Sequence, residues 1–401
     1  MEGGGAALET DVTHGDDTIA VRGGLSRSAF DETAEALYLT SGYVYGSAAE
    51  AEAAFAGDHE RYIYSRYGNP TVAVFEERMR LLEGAAAAWA TASGMAAVFN
   101  ALAASVVTGD RVVAARGLFG SCFVILDELL PRWGVHTEFV DGPDLDQWER
   151  ALASPAAAVF LESPSNPMQE IVDVAAVADL AHAAGATVIV DNVFATPVLQ
   201  RPLTLGADVV VYSATKHIDG QGRTLGGVIL GSEHFITERL QPLMRHTGPS
   251  LSPFNAWVLL KGLETLGLRV RHQSGSALRI AQTLEVHPRV RAVRYPFLAS
   301  HPQHELARRQ MQAGGTVVTF EVDGGRTEAF AVLDALEIIE ISNNLGDAKS
   351  LVTHPASTTH RRLAADVRGA MGITEGVIRI SVGLEDVEDL LADLDHALDA
   401  S

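Results

Sequence analysis

The sequence predicts an α/β fold: a mostly parallel sheet with helices on both faces, followed by a smaller C-terminal α/β domain. Three observations carry this prediction. From residue 85 to 231, short β-branched apolar runs alternate with stretches of helical spacing, the pattern of repeated strand–helix–strand crossovers. Those runs are apolar at successive residues rather than alternate ones, as in strands buried on both faces. Beyond about residue 255 the pattern shifts to one long helix and then to smaller α/β units. A chain of 401 residues exceeds what one core usually fills. The expected division is an arm over 1–63, a large ligand-binding domain over 64–255 and a C-terminal domain over 256–401.

The arm comes first. Its opening seventeen residues are acidic and glycine-rich, without an apolar stretch, so they are expected to be flexible and to hold no secretory signal. From Thr18 there is little periodicity, but Phe30, Tyr38, Tyr43, Tyr45 and Phe55 need something to pack on, such as a neighbouring subunit. The phenol-rich stretch YIYSRYGNPT at 62–71 is bounded by turn residues. Within it Tyr64 and Arg66, two positions apart, face one side of an extended segment. They could give a hydroxyl and a guanidinium to one phosphate, or simply belong to a tyrosine-rich surface loop. Val74, Phe75, Arg78, Met79 and Leu82 predict a helix over 71–82.

Strands are then expected over 86–91, 111–115, 135–140 and 158–161, with a helix over 118–130. The segment SGMAA opens another helix after the first strand, and free backbone N–H groups at Gly94 and Met95 make that end an anion site. ESPSNP at 162–167 leaves the fourth strand and brings Asn166 to the sheet's C-terminal edge, where ligands bind in open α/β sheets. A helix over 174–184 stops at Gly185, a usual terminating residue.

Two further strands, 187–190 and 209–212, end on chemistry. The first stops at Asp191. The second runs into Ser213-Ala214-Thr215-Lys216 and a glycine-rich segment. By themselves these are either an exposed lysine with a helix-capping aspartate or the acid and amine that pyridoxal phosphate requires. Downstream, a helix over 256–284, bent near 262–267, precedes strands over 316–322, 338–341 and 377–382. The last strand carries Arg379 among apolar residues, which calls for a carboxylate partner from the protein or from a ligand.

Composition narrows the function classes. A net charge of −21 argues against nucleic acid or an anionic membrane as partner. The single cysteine, Cys122, rules out an internal disulfide and a cysteine-based metal cluster. Fourteen histidines include no HExxH pattern, so no metal is expected. The longest apolar stretch, about 95–107, is broken by Asn100 and is too short to span a bilayer, so a cytoplasmic protein is expected.

Assembled in order, six blocks resemble the Cys/Met-metabolism family of pyridoxal-phosphate enzymes. They are YSRYGNPT from Tyr64, SGMAA from Ser93, ESPSNP from Glu162, VDNVFATP from Val190, SATKH from Ser213 and RISVGLED from Arg379. The likeness spans about Thr18 to Leu390 and implies the fold-type I, aspartate-aminotransferase-like transferase architecture. It implies pyridoxal 5′-phosphate as cofactor, with Lys216 forming the Schiff base and Asp191 paired to the ring nitrogen. Gly94, Met95, Ser213 and Thr215 would hold the phosphate, joined by Tyr64 and Arg66 from a neighbouring subunit. That sharing implies at least a dimer, commonly paired into a tetramer. Arg379 would take the substrate α-carboxylate, and Asn166 at the sheet edge is a further candidate for contact with the substrate. Asn344, where relatives often have serine, would hold Lys216 or the carboxylate. Phe119 stands where the family stacks a tyrosine on the ring. Ser121 sits where lyases often have cysteine, with Cys122 displaced by one.

The loops IDGQGRTLGG and SNNLGDAKSLVTHP are most similar to those of the family's O-succinylhomoserine sulfhydrylases. That implies γ-replacement: an O-succinylhomoserine ester plus sulfide giving homocysteine and succinate, in methionine biosynthesis. Arg223, near the lysine, or Arg116, near the stacking aromatic, would receive the succinyl carboxylate. The alternatives are a cystathionine γ-synthase with cysteine as nucleophile, a γ-lyase, or a cofactor-binding protein without turnover.

Overall fold

The computed structural model describes residues 14–400. Seven strands form the larger sheet: β1 (Ala87–Thr91), β2 (Arg111–Ala115), β3 (His136–Val140), β4 (Ala158–Glu162), β5 (Thr187–Asp191), β6 (Val209–Ser213) and β7 (Gly227–Gly231). Their order is β1-β7-β6-β5-β4-β2-β3. The pairings among β6, β5, β4, β2 and β3 are all parallel. Helices such as Gly94–Ala103, Leu145–Leu152 and Val174–Ala183 occupy the crossovers between parallel strands. β4 is buried along its whole length, as its unbroken apolar run requires.

β7 is the exception, antiparallel to both neighbours. No helix follows β6, so the chain can only return alongside it in the opposite sense. The sequence did not single out β7, because glycines flank GVILG on both sides and mask its apolar centre. Gly227 is demanded by close packing: a Cβ there would lie 2.4 Å from the Ser93 carbonyl oxygen.

A second, five-stranded sheet follows: β8 (Val290–Arg294), β9 (Val317–Val322), β10 (Glu340–Ile341), β11 (Leu351–Thr353) and β12 (Val377–Ser381). Its order is β10-β11-β12-β9-β8. β9, β10 and β12 were expected, whereas β8 alternates charge with apolar residues at a half-exposed edge and β11 is only three residues long. This sheet has its own apolar cluster, in which Phe320, Ile378 and Ile380 meet Ile280, Leu284 and Leu394.

The long C-terminal helix is two, Pro253–Leu263 and Leu266–Glu285, interrupted at Thr265 within the expected bend. The helix expected over 118–130 is irregular, passing from α (Gly120–Val124) to π (Ile125–Leu129) to 3₁₀ (Leu130–Trp133). Pro131 cannot donate a backbone hydrogen bond, so a regular α-helical ladder cannot continue through it. The expected flexibility of the first seventeen residues lies outside the described residues up to 13. Asp16 and Asp17 instead open a helix, Asp16–Arg22, and pair with Arg201 and Arg271.

The two sheets meet through the segment that leaves β4. Gln169 donates to the Val317 carbonyl at 2.9 Å and Thr319 to the Pro167 carbonyl at 2.6 Å. The C-terminal edge of the large sheet is thereby roofed by the second. Among the described residues, no helix is long and apolar enough to cross a membrane.

Candidate active site

β4, β5 and β6 are adjacent and parallel, so their last residues, Glu162, Asp191 and Ser213, come out at one edge. Three residues beyond β6 the chain turns back, with Lys216 N–H donating to the Ser213 carbonyl at 3.2 Å and Gly220 N–H to the Lys216 carbonyl at 2.8 Å. The turn delivers the lysine into the space above Asp191. Lys216 and Asp191 line one cavity of about 250 Å³.

The Lys216 amine donates to Asn344 Oδ1 at 2.6 Å. Burial, and next the Arg379 charge, push it down to about 8. An ordinary surface lysine is almost wholly protonated at neutral pH; this one supplies a usable fraction of free amine. Asp191 accepts the Val193 N–H at 3.0 Å, which fixes its direction. Burial raises its carboxyl above the usual range. A cation brought against it would recover the carboxylate.

Arg379 is 1 % exposed and lines the same cavity. It donates to Asn166 Oδ1 at 2.9 Å and to the carbonyls of Asn343 at 3.0 Å and Asn344 at 3.3 Å, while its Nε has no partner. Among the described residues no carboxylate pairs with it. A fully buried guanidinium with neutral acceptors and one idle N–H is a receptor for an anion.

At the other end of the cavity, Ser93 caps the helix Gly94–Ala103 by accepting the Ala96 N–H at 3.2 Å. The first N–H groups of that helix have no carbonyl within it to pair with. A Cβ on Gly94 would lie 2.4 Å from Ser213 Cβ and 2.8 Å from its Cα. The absence of a side chain leaves a cradle between helix start and strand end, sized for an anion and lined by Met95, Ser213 and Thr215. Thr215 Oγ1 accepts the Gly226 N–H at 3.1 Å, tying the lysine turn to β7. Gly94→Ala is expected to raise the dissociation constant of pyridoxal phosphate by about ten-fold or more, since backbone must shift to admit the methyl. Retention of the cofactor on dialysis measures it.

Phe119 lines the cavity between these ends, its N–H held at 2.7 Å by Glu162 Oε1. The flat, apolar ring suits a heteroaromatic ligand. Cys122 faces the cavity beside Glu162, and burial raises its thiol well above its usual range, so it stays protonated. Ser121 faces an adjoining cavity instead. An amine, an acid, an aromatic face, an anion cradle and a buried guanidinium therefore converge, and they fit pyridoxal phosphate carrying an amino acid.

Two of the residues expected at this site lie elsewhere. Arg223 is bound to Asp219 through Nε at 3.0 Å and its own N–H at 2.6 Å, and it does not line the cavity. The i,i+4 carboxylate, fully buried, captures it. Arg116 pairs with Asp141 at 3.2 Å in a separate cavity. Neither reaches the site as expected, because each has an acid closer to hand, Asp219 four residues back along the chain for Arg223 and Asp141 just past the end of the neighbouring strand for Arg116. Tyr64 and Arg66 do not line the cavity of their own chain; Arg66 lies 4.7 Å over the Tyr67 ring and bonds the Arg245 carbonyl. The sequence reading passed over Glu162 and Asn343. Glu162 carried the same signal as Asp191, a carboxylate at the end of an apolar strand; Asn343 offers Arg379 its backbone carbonyl, which no residue type announces.

The model of the family described as Cys/Met metabolism PLP-dependent enzyme matches residues 17–399. An O-succinylhomoserine sulfhydrylase of Mycobacterium tuberculosis is 67% identical over 385 residues, 95% of each chain. The enzyme of that name from Pseudomonas aeruginosa is 50% identical over 384 residues, 96% of this chain and 95% of the relative. Among solved structures, cystathionine gamma synthase from Xanthomonas oryzae superposes with a TM-score of 0.92 at 34% identity, covering 97% of this chain and 99% of that one. A putative O-acetylhomoserine (thiol)-lyase from Campylobacter jejuni, containing a pyridoxyl-lysine monophosphate, gives 0.91 at 32% identity, covering 96% and 100%.

Proposed function

The chain belongs to the Cys/Met-metabolism family of pyridoxal-phosphate-dependent enzymes, and from that premise we propose that it replaces the γ-acyloxy group of O-succinylhomoserine with sulfide, giving homocysteine and succinate. The observation that carries the reading is the single cavity holding Lys216, Asp191 and Arg379. The choice of ester and sulfur donor is supported by the relatives of 67% and 50% identity.

When bound, the cofactor supplies an aldehyde for amine capture and an electron sink for the pair left when a Cα–H bond breaks. The residues of the chain do the rest. Arg379, steered by Asn166, binds the α-carboxylate and thereby orients Cα. Lys216 Nζ, with its lowered proton affinity, accepts the Cα proton and returns a proton later in the cycle. Asn344 Oδ1 gives that amine a resting position. Asp191 keeps the positive charge of a protonated ring nitrogen in place. Phe119 offers a face but no hydroxyl, so proton traffic falls to Lys216. The Gly94 cradle anchors the phosphate.

Tyr64 and Arg66, outside their own cavity, are available to the phosphate site of a partner. The exposed Phe30, Leu39, Val44 and Phe55 on the same arm support a dimer that shares its sites and pairs into a tetramer. The absence of a spanning helix among the described residues and the biosynthetic relatives support a cytoplasmic location.

The succinyl carboxylate needs a cation, and with Arg223 and Arg116 engaged elsewhere Arg362 is the better candidate. It lines an adjoining cavity of about 520 Å³ that shares Met95 with the main one and takes in Ser121 just past Phe119. Arg362→Ala is expected to lower kcat/KM for O-succinylhomoserine about ten-fold while sparing O-acetylhomoserine. An unchanged ratio of the two esters would remove this role. Product analysis with O-succinylhomoserine plus sulfide, plus cysteine, and alone tests the main proposal. Homocysteine must dominate with sulfide; cystathionine or a 2-oxo acid as main product would assign one of the sister activities.

A further inference from the structure

Glu162 sits at the centre of the site without a role in the chemistry just described. It is 5 % exposed, ends β4 directly opposite Asp191 on β5, and lines the cavity. One oxygen, Oε1, accepts the Phe119 N–H at 2.7 Å; the other, Oε2, accepts the Asn166 N–H at 3.3 Å. Asn166 in turn carries the Arg379 guanidinium at 2.9 Å. Ligand atoms of Glu162, Asp191 and Cys122 lie within 4.8 Å of one another. Three separate parts of the pocket therefore converge on one side chain: the aromatic face, the carboxylate-binding arm and the acid for the ring nitrogen.

We infer that Glu162 is a positioning residue that locks these three parts into register, and that it acts as a neutral acid, leaving the negative charge of the carboxyl pair to Asp191. The Phe119 N–H takes one oxygen at 2.7 Å and the Asn166 N–H the other at 3.3 Å, so a proton on the second oxygen would weaken only the longer contact. Two carboxylates this close in a buried pocket cannot both ionise readily, and the groups against Glu162 are Asp191, the Cys122 thiol and backbone N–H groups, not a cation. Lys216 and Arg379 line the same cavity, but the first bonds Asn344 and the second Asn166. Burial, and next the Asp191 charge, hold the Glu162 carboxyl well above its usual range, in agreement with the geometry.

The inference rests on pyridoxal phosphate occupying this cavity, not on which ester or sulfur donor reacts. Glu162→Gln keeps a carbonyl for Phe119 and removes the ionisable group; its amide nitrogen cannot accept the Asn166 N–H, so it reproduces the neutral acid except at that longer contact. Glu162→Ala leaves the Phe119 and Asn166 N–H groups and the Asp191 side chain without their support. The test uses purified holoenzyme of wild type and both variants, with three readouts: cofactor dissociation constant, pH dependence of the bound cofactor's absorbance between pH 6 and 9, and KM against kcat. Glu162→Gln should stay within about three-fold of wild type in affinity with its pH profile unmoved. Glu162→Ala should lose at least about ten-fold in affinity, shift the profile and raise KM. Glu162→Asp, too short to reach Phe119, should resemble Glu162→Ala and replaces it should the alanine variant not fold. A glutamine variant as impaired as the alanine or aspartate variant would show that the charge is needed and overturn the inference. So would truncation that leaves affinity and profile unchanged. Failure of the sulfide reaction would leave all of these binding readouts interpretable.

Discussion

Lys216→Ala is expected to lower turnover by at least about 10³-fold and to end covalent retention of pyridoxal phosphate. The chain has only three lysines, Lys216, Lys261 and Lys349. Lys261 is paired with Glu35 and Glu264 far along the sequence from the site's motifs, and Lys349 is largely exposed beside Asp347. Neither lines the cavity, so no second amine can stand in. Borohydride reduction and peptide mass analysis give the readout: wild type must carry the pyridoxyl mass at Lys216, and the variant must carry none. A variant that keeps both the adduct and turnover would end the proposed chemistry. The lowered proton affinity adds a pH signature with a definite sign. Only the free amine attacks an aldehyde, so the rate at which apoprotein captures the cofactor should rise with pH and level off above about 8. For a surface lysine it would still be climbing at pH 10.

Asp191→Ala is the second large effect, with an expected loss of about 10²- to 10³-fold in turnover and weaker cofactor binding. An opposite charge at a ring nitrogen favours its protonated form by one to three pKa units, roughly 1.4–4 kcal/mol. The Val193 N–H fixes the carboxylate at one oxygen, so the acid cannot swing away. Asp191→Asn separates charge from shape: it preserves volume and a hydrogen-bonding oxygen but cannot hold the cation. The expected order of activity is wild type, then Asn at a few per cent or below, then Ala. An asparagine variant with full turnover would mean that the ring nitrogen's charge is not held by this residue.

Much of the fold was legible because its signals are local. Buried parallel strands must be apolar at consecutive positions, and Val209-Val210-Val211 or Val188-Ile189-Val190 admit few other readings. The helices expected over 71–82 and from SGMAA are present, and the structure shows Asn69 and Ser93 capping them. What escaped were elements whose local signal was diluted: β7 between glycines, β8 with charges at an edge, and β11 at three residues. The irregular helix after Phe119 followed the expected path but changed its winding ahead of Pro131.

The candidate site divides along the same line. Lys216, Asp191, Gly94, Asn166 and Arg379 were each recognisable as strand-end, helix-start or buried-charge anomalies, and the cavity joins them. Arg223 and Arg116 were assigned from proximity in sequence to the lysine and the aromatic. Their direction was settled by Asp219 and Asp141, since a guanidinium takes the carboxylate it can reach, and reach is a property of three-dimensional packing. Glu162 shows the converse. Its residue type was visible, but its contacts with Phe119, Asn166 and Asp191 come from three separate stretches of chain.

The sequence alone determined which strands are buried, where they end and which reactive groups stand at those ends, because these depend on residue type and spacing within a few positions. Only the tertiary structure decided that the amine and the acid share one cavity, that Arg379 lacks a carboxylate partner among the described residues, and that two other arginines are engaged elsewhere. Hydrogen bonds and ion pairs act over a few ångströms, and which groups lie that close depends on how distant segments pack.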